Sequence, residues 1–226
     1  MDIGKAFTYV FEDPNWIMKV LIGGIVLLIP IVNFAVFGYM LTTLKNVADG
    51  QPNPLPEWSD FGAHFMKGLY AVVGALVYLL PGIIVICCAQ LLTIGVSTVA
   101  GAAGGRDAGG AAASLVGFLG LCLSCIAYLY IFVAALTLYA PMTRFAMSAN
   151  QLSLFWDFRG NLAFIQRNLT NYIIALLIAF VASFVAEFGI ILCIVGVLFT
   201  LFWAYLVAAH VFGQLWKNQA AAPAMA

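Results

Sequence analysis

The chain has 226 residues, of which 65% are hydrophobic and 8% charged, with a mean hydropathy of +1.07. Nine basic side chains balance nine acidic ones, which excludes the basic stripe that binding a phosphate backbone requires and, with it, a nucleic-acid partner. A soluble domain is about a quarter charged, so too few charges remain to coat a surface facing water, and lipid is the expected solvent.

In hydrocarbon every backbone N–H and C=O must be satisfied internally, by helices or by a closed barrel. Barrel strands alternate in polarity over about ten residues. This chain instead shows continuous apolar runs of the length, about 20 residues, that a spanning helix needs. The expected fold is all-α and polytopic, with about four full transmembrane helices, a Pro-broken first hydrophobic region that is re-entrant or kinked, and interfacial amphipathic segments.

Taken in order, residues 1–16 form an interfacial segment in which Ile3, Phe7, Val10 and Phe11 alternate with Lys5, Glu12 and Asp13. The absence of a basic stretch ahead of the first apolar run argues against a cleaved leader. Residues 17–44 are apolar but carry Pro30 and Asn33 at their centre. Residues 45–68 are polar and proline-rich, and read as a cytoplasmic or interfacial strip. Residues 69–142 read as a helical hairpin around a Gly/Ala-rich loop at 101–113, expected to be flexible. Residues 143–168 are interfacial again, and 169–216 form a second hairpin whose turn falls between Glu187 and Gly196. A disordered tail is expected at 217–226. An aromatic, acidic segment precedes each apolar region: Phe11-Glu-Asp-Pro-Asn-Trp16, Leu55-Pro-Glu-Trp-Ser-Asp-Phe61 and Leu154-Phe-Trp-Asp-Phe158.

The positive-inside rule discriminates between topologies. If residues 17–44 cross once, the basic residues divide three against six; if they dip in and return, all except Arg106 fall on one face, eight against one. The second split, which also gathers Trp16, Trp58, Trp156 and Trp216 at one interface, predicts a re-entrant first region with both termini cytoplasmic.

Several blocks resemble a prokaryotic multi-pass membrane family catalogued only as a domain of unknown function. They are Glu12-Asp-Pro-Asn-Trp16, Lys19 with Gly23-Gly24, Leu28-Ile-Pro-Ile-Val-Asn33, Gly38-Tyr39, Asn46-Val-Ala-Asp-Gly50, Leu55-Pro-Glu-Trp-Ser-Asp-Phe-Gly62 and Ala208-Ala-His-Val-Phe-Gly-Gln-Leu-Trp216. The resemblance implies a prokaryotic cytoplasmic membrane and no established activity.

Candidate chemistry is sparse. Cys87, Cys88, Cys122, Cys125 and Cys193 lie in apolar runs, where thiolates could hold a soft metal. Neighbouring positions point about 100° apart on a helix, so the expectation is packing and no metal. Glu187 is an acid within an apolar run, a feature that in lipid suggests transport, although its position fits an outer turn. His210 could ligate haem or a pigment, or simply bond a neighbouring helix; His64 is expected to be solvated. Asn33, Gln90 and Glu187 would line a polar path in a transporter. Trp16, Trp58, Asp60, Phe61, Trp156 and Trp216 are interfacial or docking candidates. Trp58, Phe61 and Phe65 read either as an amphipathic face against headgroups or as a partner's docking strip.

No acid pair, activated nucleophile or phosphate loop is present, so neither enzymatic activity nor a cofactor is expected. The sequence favours an accessory or scaffolding subunit that contacts lipid and other membrane proteins or copies of itself. A small transporter or channel for an uncharged solute is the alternative, and a haem- or pigment-binding subunit is the weaker one.

Overall fold

The computed structural model describes residues 1–102, 108–191 and 196–221. Every regular element among the described residues is a helix, with no strand among them. Helix α1 (Ile3–Glu12) starts where the Asp2 carboxylate accepts from the Lys5 N–H, a side-chain cap on a donor left free at the helix end. It stops because Pro14 drives Asp13 to extended backbone (ψ 127°).

The first apolar run is broken. Helix α2 (Trp16–Leu28) and helix α3 (Phe34–Ala48) flank a turn at residues 29–33. Pro30 sets the break, since Ile29 before it is extended (ψ 112°). Ile31 then takes φ 71°, a left-handed conformation that a β-branched side chain adopts at a cost. Helix α4 spans Phe61–Ala102 and helix α5 spans Ala108–Met147, with Pro81 and Pro141 inside them. The short α6 (Ser153–Trp156) and α7 (Phe158–Arg167) precede α8 (Leu169–Glu187); α9 runs from Gly196 to Ala221.

Four helical stretches have the length and hydropathy to cross a bilayer: Trp58–Val99, Ser114–Met147, Leu169–Ile191 and Gly196–Ala220. Three boundaries depart from the sequence reading. Residues 61–68 are the opening turns of α4, since nothing in Phe61–Gly68 breaks a helix. The Gly/Ala-rich tract is helical up to Ala102 and again from Ala108, because alanine sustains a helix without packing partners; residues 103–107 lie outside the described residues. The expected tail is helical through Ala221, and Gln219 donates to the Phe164 carbonyl; residues 222–226 lie outside the description.

The chain forms two compact units. In the first (residues 1–74 and 139–226), α9 is the central element, with α1, α2, α3 and α8 all packed on it. Asp2 exchanges hydrogen bonds with Gln214, the Tyr9 hydroxyl donates to the Leu206 carbonyl, and Gly24 lies against Phe199. After the break the direction reverses: Phe37 meets Tyr205 and Val47 meets Gly213. The first 48 residues therefore run along α9 and return. Helices α3 and α4 cross at Gly38 and Gly68, where a Cβ on Gly68 would lie 1.7 Å from the Phe34 carbonyl oxygen.

The second unit, residues 75–138, is an antiparallel pair from α4 and α5. Small residues make the seam: Gly82 abuts Ile131, and Gly120 abuts Thr93. Lipid does not drive apolar helices together, so close approach at small residues must do so. Pro81 removes a donor from its turn, and nearby the Tyr130 hydroxyl donates to the Tyr78 carbonyl at 2.9 Å.

Candidate functional site

The most highly organised polar site lies where residues 51–60 fold inward across α2 and α3. Lys19, the one charged residue of α2, is only 4% exposed. Its ammonium contacts Asp13 Oδ2 at 2.8 Å, Glu57 Oε1 at 2.7 Å and the Leu55 carbonyl at 3.2 Å. A lysine has three N–H donors, so every one is used. Burial alone would lower its pKa, but the hydrogen bonds it donates to Asp13 and Glu57 outweigh that and hold the amine above its ordinary value. Asp13 is buried as well, while Glu57 faces outward.

The rest of the segment is pinned in the same manner. Trp58 Nε1 donates to the Lys19 carbonyl, the Tyr39 hydroxyl to the Pro56 carbonyl and Asn46 Nδ2 to the Pro54 carbonyl. The rings of Tyr39 and Trp58 stack at 4.5 Å, with Phe202 and His64 beside them. Thus Lys19, Tyr39, Asn46 and the Leu55–Trp58 block, all quoted for the resemblance, converge on one structure. Its chemistry is that of a clamp: the ammonium is saturated and the ring cluster is closed over it.

This geometry corrects two expectations. Trp58, Phe61 and Phe65 are not a face turned to headgroups, because all three pack against the cluster around Tyr39 and Phe202. His64 is buried, with a ring nitrogen 3.0 Å from the Glu57 carbonyl. Trp16 is half-buried and meets Phe11 edge-on, Asp60 and Trp156 are exposed, and Trp216 stacks on Phe164.

His210 is buried on α9, stacked on Tyr9 at 4.4 Å, with Nδ1 3.0 Å from the Gln214 amide. Asn33 lies at the break with a buried Oδ1 that has no hydrogen-bond partner among the described residues. Gln90 is exposed on α4, and Glu187 is the exposed last residue of α8. Cys87, Cys88 and Cys125 are exposed and Cys122 partly so, so they do not pack inside the chain as expected; Cys193 lies outside the described residues. Among the described residues no group of His, Cys, Asp or Glu could hold a metal.

Among the described residues the first unit carries two well-formed cavities lined by neither Asn33, Gln90 nor Glu187. One, of about 300 Å³, includes Lys5, Tyr9, His210, Gln214 and Lys217. The other, of about 280 Å³, includes Arg144, Arg167, Trp216 and Gln219. Beside the second, Arg144 pairs with Asp157 at 2.7 Å and donates to Asn161. The Arg144 hydrogen bond, helped by the Gly160 N–H, holds the Asp157 carboxyl below its ordinary range.

Residue-type reasoning missed Asp13, Lys19 and Glu57 as a set. The signal was there in one form: a lysine inside an apolar stretch requires a partner, and Asp13 lies six positions upstream.

Helices of this length and hydropathy, in a chain with so few charges, define an all-α polytopic membrane protein. The chain belongs to the family described as "Protein of unknown function (DUF4013)", whose model matches residues 22–216. The matched span begins after Glu12–Trp16 and Lys19, so that part of the resemblance lies beyond it. No curated protein and no solved structure matches the chain.

Proposed function

We propose that this protein is a non-enzymatic accessory or scaffolding subunit of a membrane complex. The observation that carries this reading is the surface of the second unit. Only 28% of the apolar window of Trp58–Val99 and 22% of that of Ser114–Met147 are covered by the chain itself, against 33% for Leu169–Ile191 and 61% for Gly196–Ala220. Gly95 and Gly117 stand open on these helices, with no atom of the described residues within 4 Å of where a Cβ would lie. Open small residues on apolar helices let another helix approach closely.

The proposed topology is a re-entrant first region with both termini cytoplasmic. The path of α1 to α3 between Gln214 and Phe199 covers about 22 Å at 1.5 Å per residue, short of the roughly 30 Å hydrocarbon core. Lys5, Lys45, Arg144, Arg167 and Lys217 gather around the C-terminal turns of α9, which supports placing that end inside.

Affinity capture in a mild detergent, followed by mass spectrometry, tests the reading. Stoichiometric recovery of one membrane protein, or of a defined homo-oligomer, is expected. Recovery as a lone monomer at every detergent concentration would sink it. A second reading, passage of an uncharged solute, rests on the unpartnered Asn33 Oδ1 at the break. Solute flux into proteoliposomes that Asn33→Leu abolishes would favour it.

A further inference from the structure

The cavity beside the C-terminal end of α9 has a construction that the clamp and the proposed scaffold role do not use. Its floor is polar and fixed: Tyr9 is spent on the Leu206 carbonyl, and His210 is held between the Tyr9 ring and Gln214. One wall is the turn after α3, residues 50–54, which Gly50 makes possible by taking φ 76°. Lys5 and Lys217, from opposite ends of the sequence, also line it.

Neither lysine has an ion pair among the described residues, a state they share with Lys67, Arg159 and Arg167, but these two line one cavity together. Lys19, Lys45 and Arg144 each have a carboxylate. The nearby acids are otherwise engaged: Asp2 caps α1 through the Lys5 N–H, and Asp49 pairs with Lys45. No acid lines the cavity. Two ammonium groups without an ion pair, over a polar floor that also feels the Asp2 carboxylate, in a space of about 300 Å³, leave room for an oxyanion of phosphate size. Ammonium groups bind phosphate as point charges, and cations at a membrane surface attract acidic headgroups.

We propose that this cavity binds a phosphate-type anion, carried by an acidic phospholipid headgroup or free in solution, between Lys5 and Lys217. The site stands independently of any protein partner.

The test uses the full chain in a neutral detergent. Native mass spectrometry compares capture of dioleoyl phosphatidylglycerol with that of dioleoyl phosphatidylcholine, and phosphorus NMR line-broadening reads inorganic phosphate. The expected result is a preference of about tenfold for the acidic lipid, or broadening of phosphate, lost in the Lys5→Gln/Lys217→Gln double variant and kept in Lys5→Arg/Lys217→Arg. Lipid preference without phosphate broadening assigns the headgroup as the source; broadening without lipid preference assigns the free ion. Equal capture of both lipids with no broadening overturns the proposal. So does a signal that survives in the double variant, or one that Lys45→Gln removes equally, which would reduce the effect to general surface charge.

Discussion

Gly38 and Gly68 bring α3 and α4 into backbone contact: a Cβ on Gly38 would lie 1.8 Å from the His64 carbonyl oxygen. No side-chain rotation can relieve a clash with backbone, so one helix must move. Gly38→Ala or Gly68→Ala is expected to destabilise the protein by about 1–3 kcal/mol, the usual cost of overpacking, or by more. Gly62, with nothing within 4 Å, is the control. Gly62→Ala should be neutral or stabilising, since alanine is the better helix former. Thermal unfolding in detergent, followed by fluorescence, separates the two; equal effects at all three sites would refute the crossing.

The Lys19 clamp makes a different prediction. Removing one partner of a buried pair strands the other charge, at a cost of about 3–5 kcal/mol. Asp13→Asn and Lys19→Met should both loosen residues 51–60, whereas Glu57→Gln, at an exposed position, should cost little. Cleavage after Glu57 by a glutamate-specific protease gives the readout for the first two variants, and it should quicken. The amine's pKa is raised on folding, so its contribution is complete below the ordinary value of 10.5 and is lost as pH rises through the higher folded value. Stability that wild type and Lys19→Met lose in parallel above that pH would refute the assignment.

Asp157 titrates with the opposite sign. Its folded pKa is depressed below 3.8, so the carboxylate's stabilising effect is present above that value and lost as pH falls through the lower folded one. The stability gap between wild type and Asp157→Asn should stay constant from neutrality down to about pH 5 and close only in stronger acid. A gap that closes near neutrality would show that Arg144 and Asp157 are not paired.

Ile31 carries its left-handed φ of 71° with a side chain that is 66% exposed. Glycine relieves this strain and sacrifices little packing. Ile31→Gly is expected to leave stability unchanged or raise it by up to about 1 kcal/mol. Ile31→Pro cannot adopt a positive φ and should disrupt the turn. Thermal unfolding of the pair measures both effects; a large loss in the glycine variant would mean that the isoleucine side chain holds the break.

Much of this architecture was legible in the sequence, and the boundary between what could and could not be read is physical. Hydropathy reads α8 and α9 as separate helices because their 48-residue stretch exceeds one span, and Pro30 announces the break between α2 and α3. The inward turn of Leu55–Trp58 was not legible. Prolines, a tryptophan and two acids in a row have the composition of a membrane surface, and only a partner 38 positions upstream, Lys19 for Glu57, reverses that reading. His64 failed for the same reason. Its burial comes from Tyr39 and Trp58, rings contributed by other elements. The cavity between Lys5 and Lys217 depends on the two ends of the chain meeting, which no local pattern encodes.

The central position of α9 has a consequence for how the protein is made. Tyr9 and its acceptor at Leu206 are 197 positions apart, so α1, α2 and α3 leave the ribosome long before the helix they pack on. Until α9 is synthesised, the Tyr9 hydroxyl lacks its acceptor, and Gly23 and Gly24 lack the Phe202 and Phe199 rings they pack against. Docking of these three helices therefore waits for the last long helix to be made, and assembly finishes from the C-terminal end. Deleting α9 should consequently send the whole chain to degradation, including helices that are themselves intact.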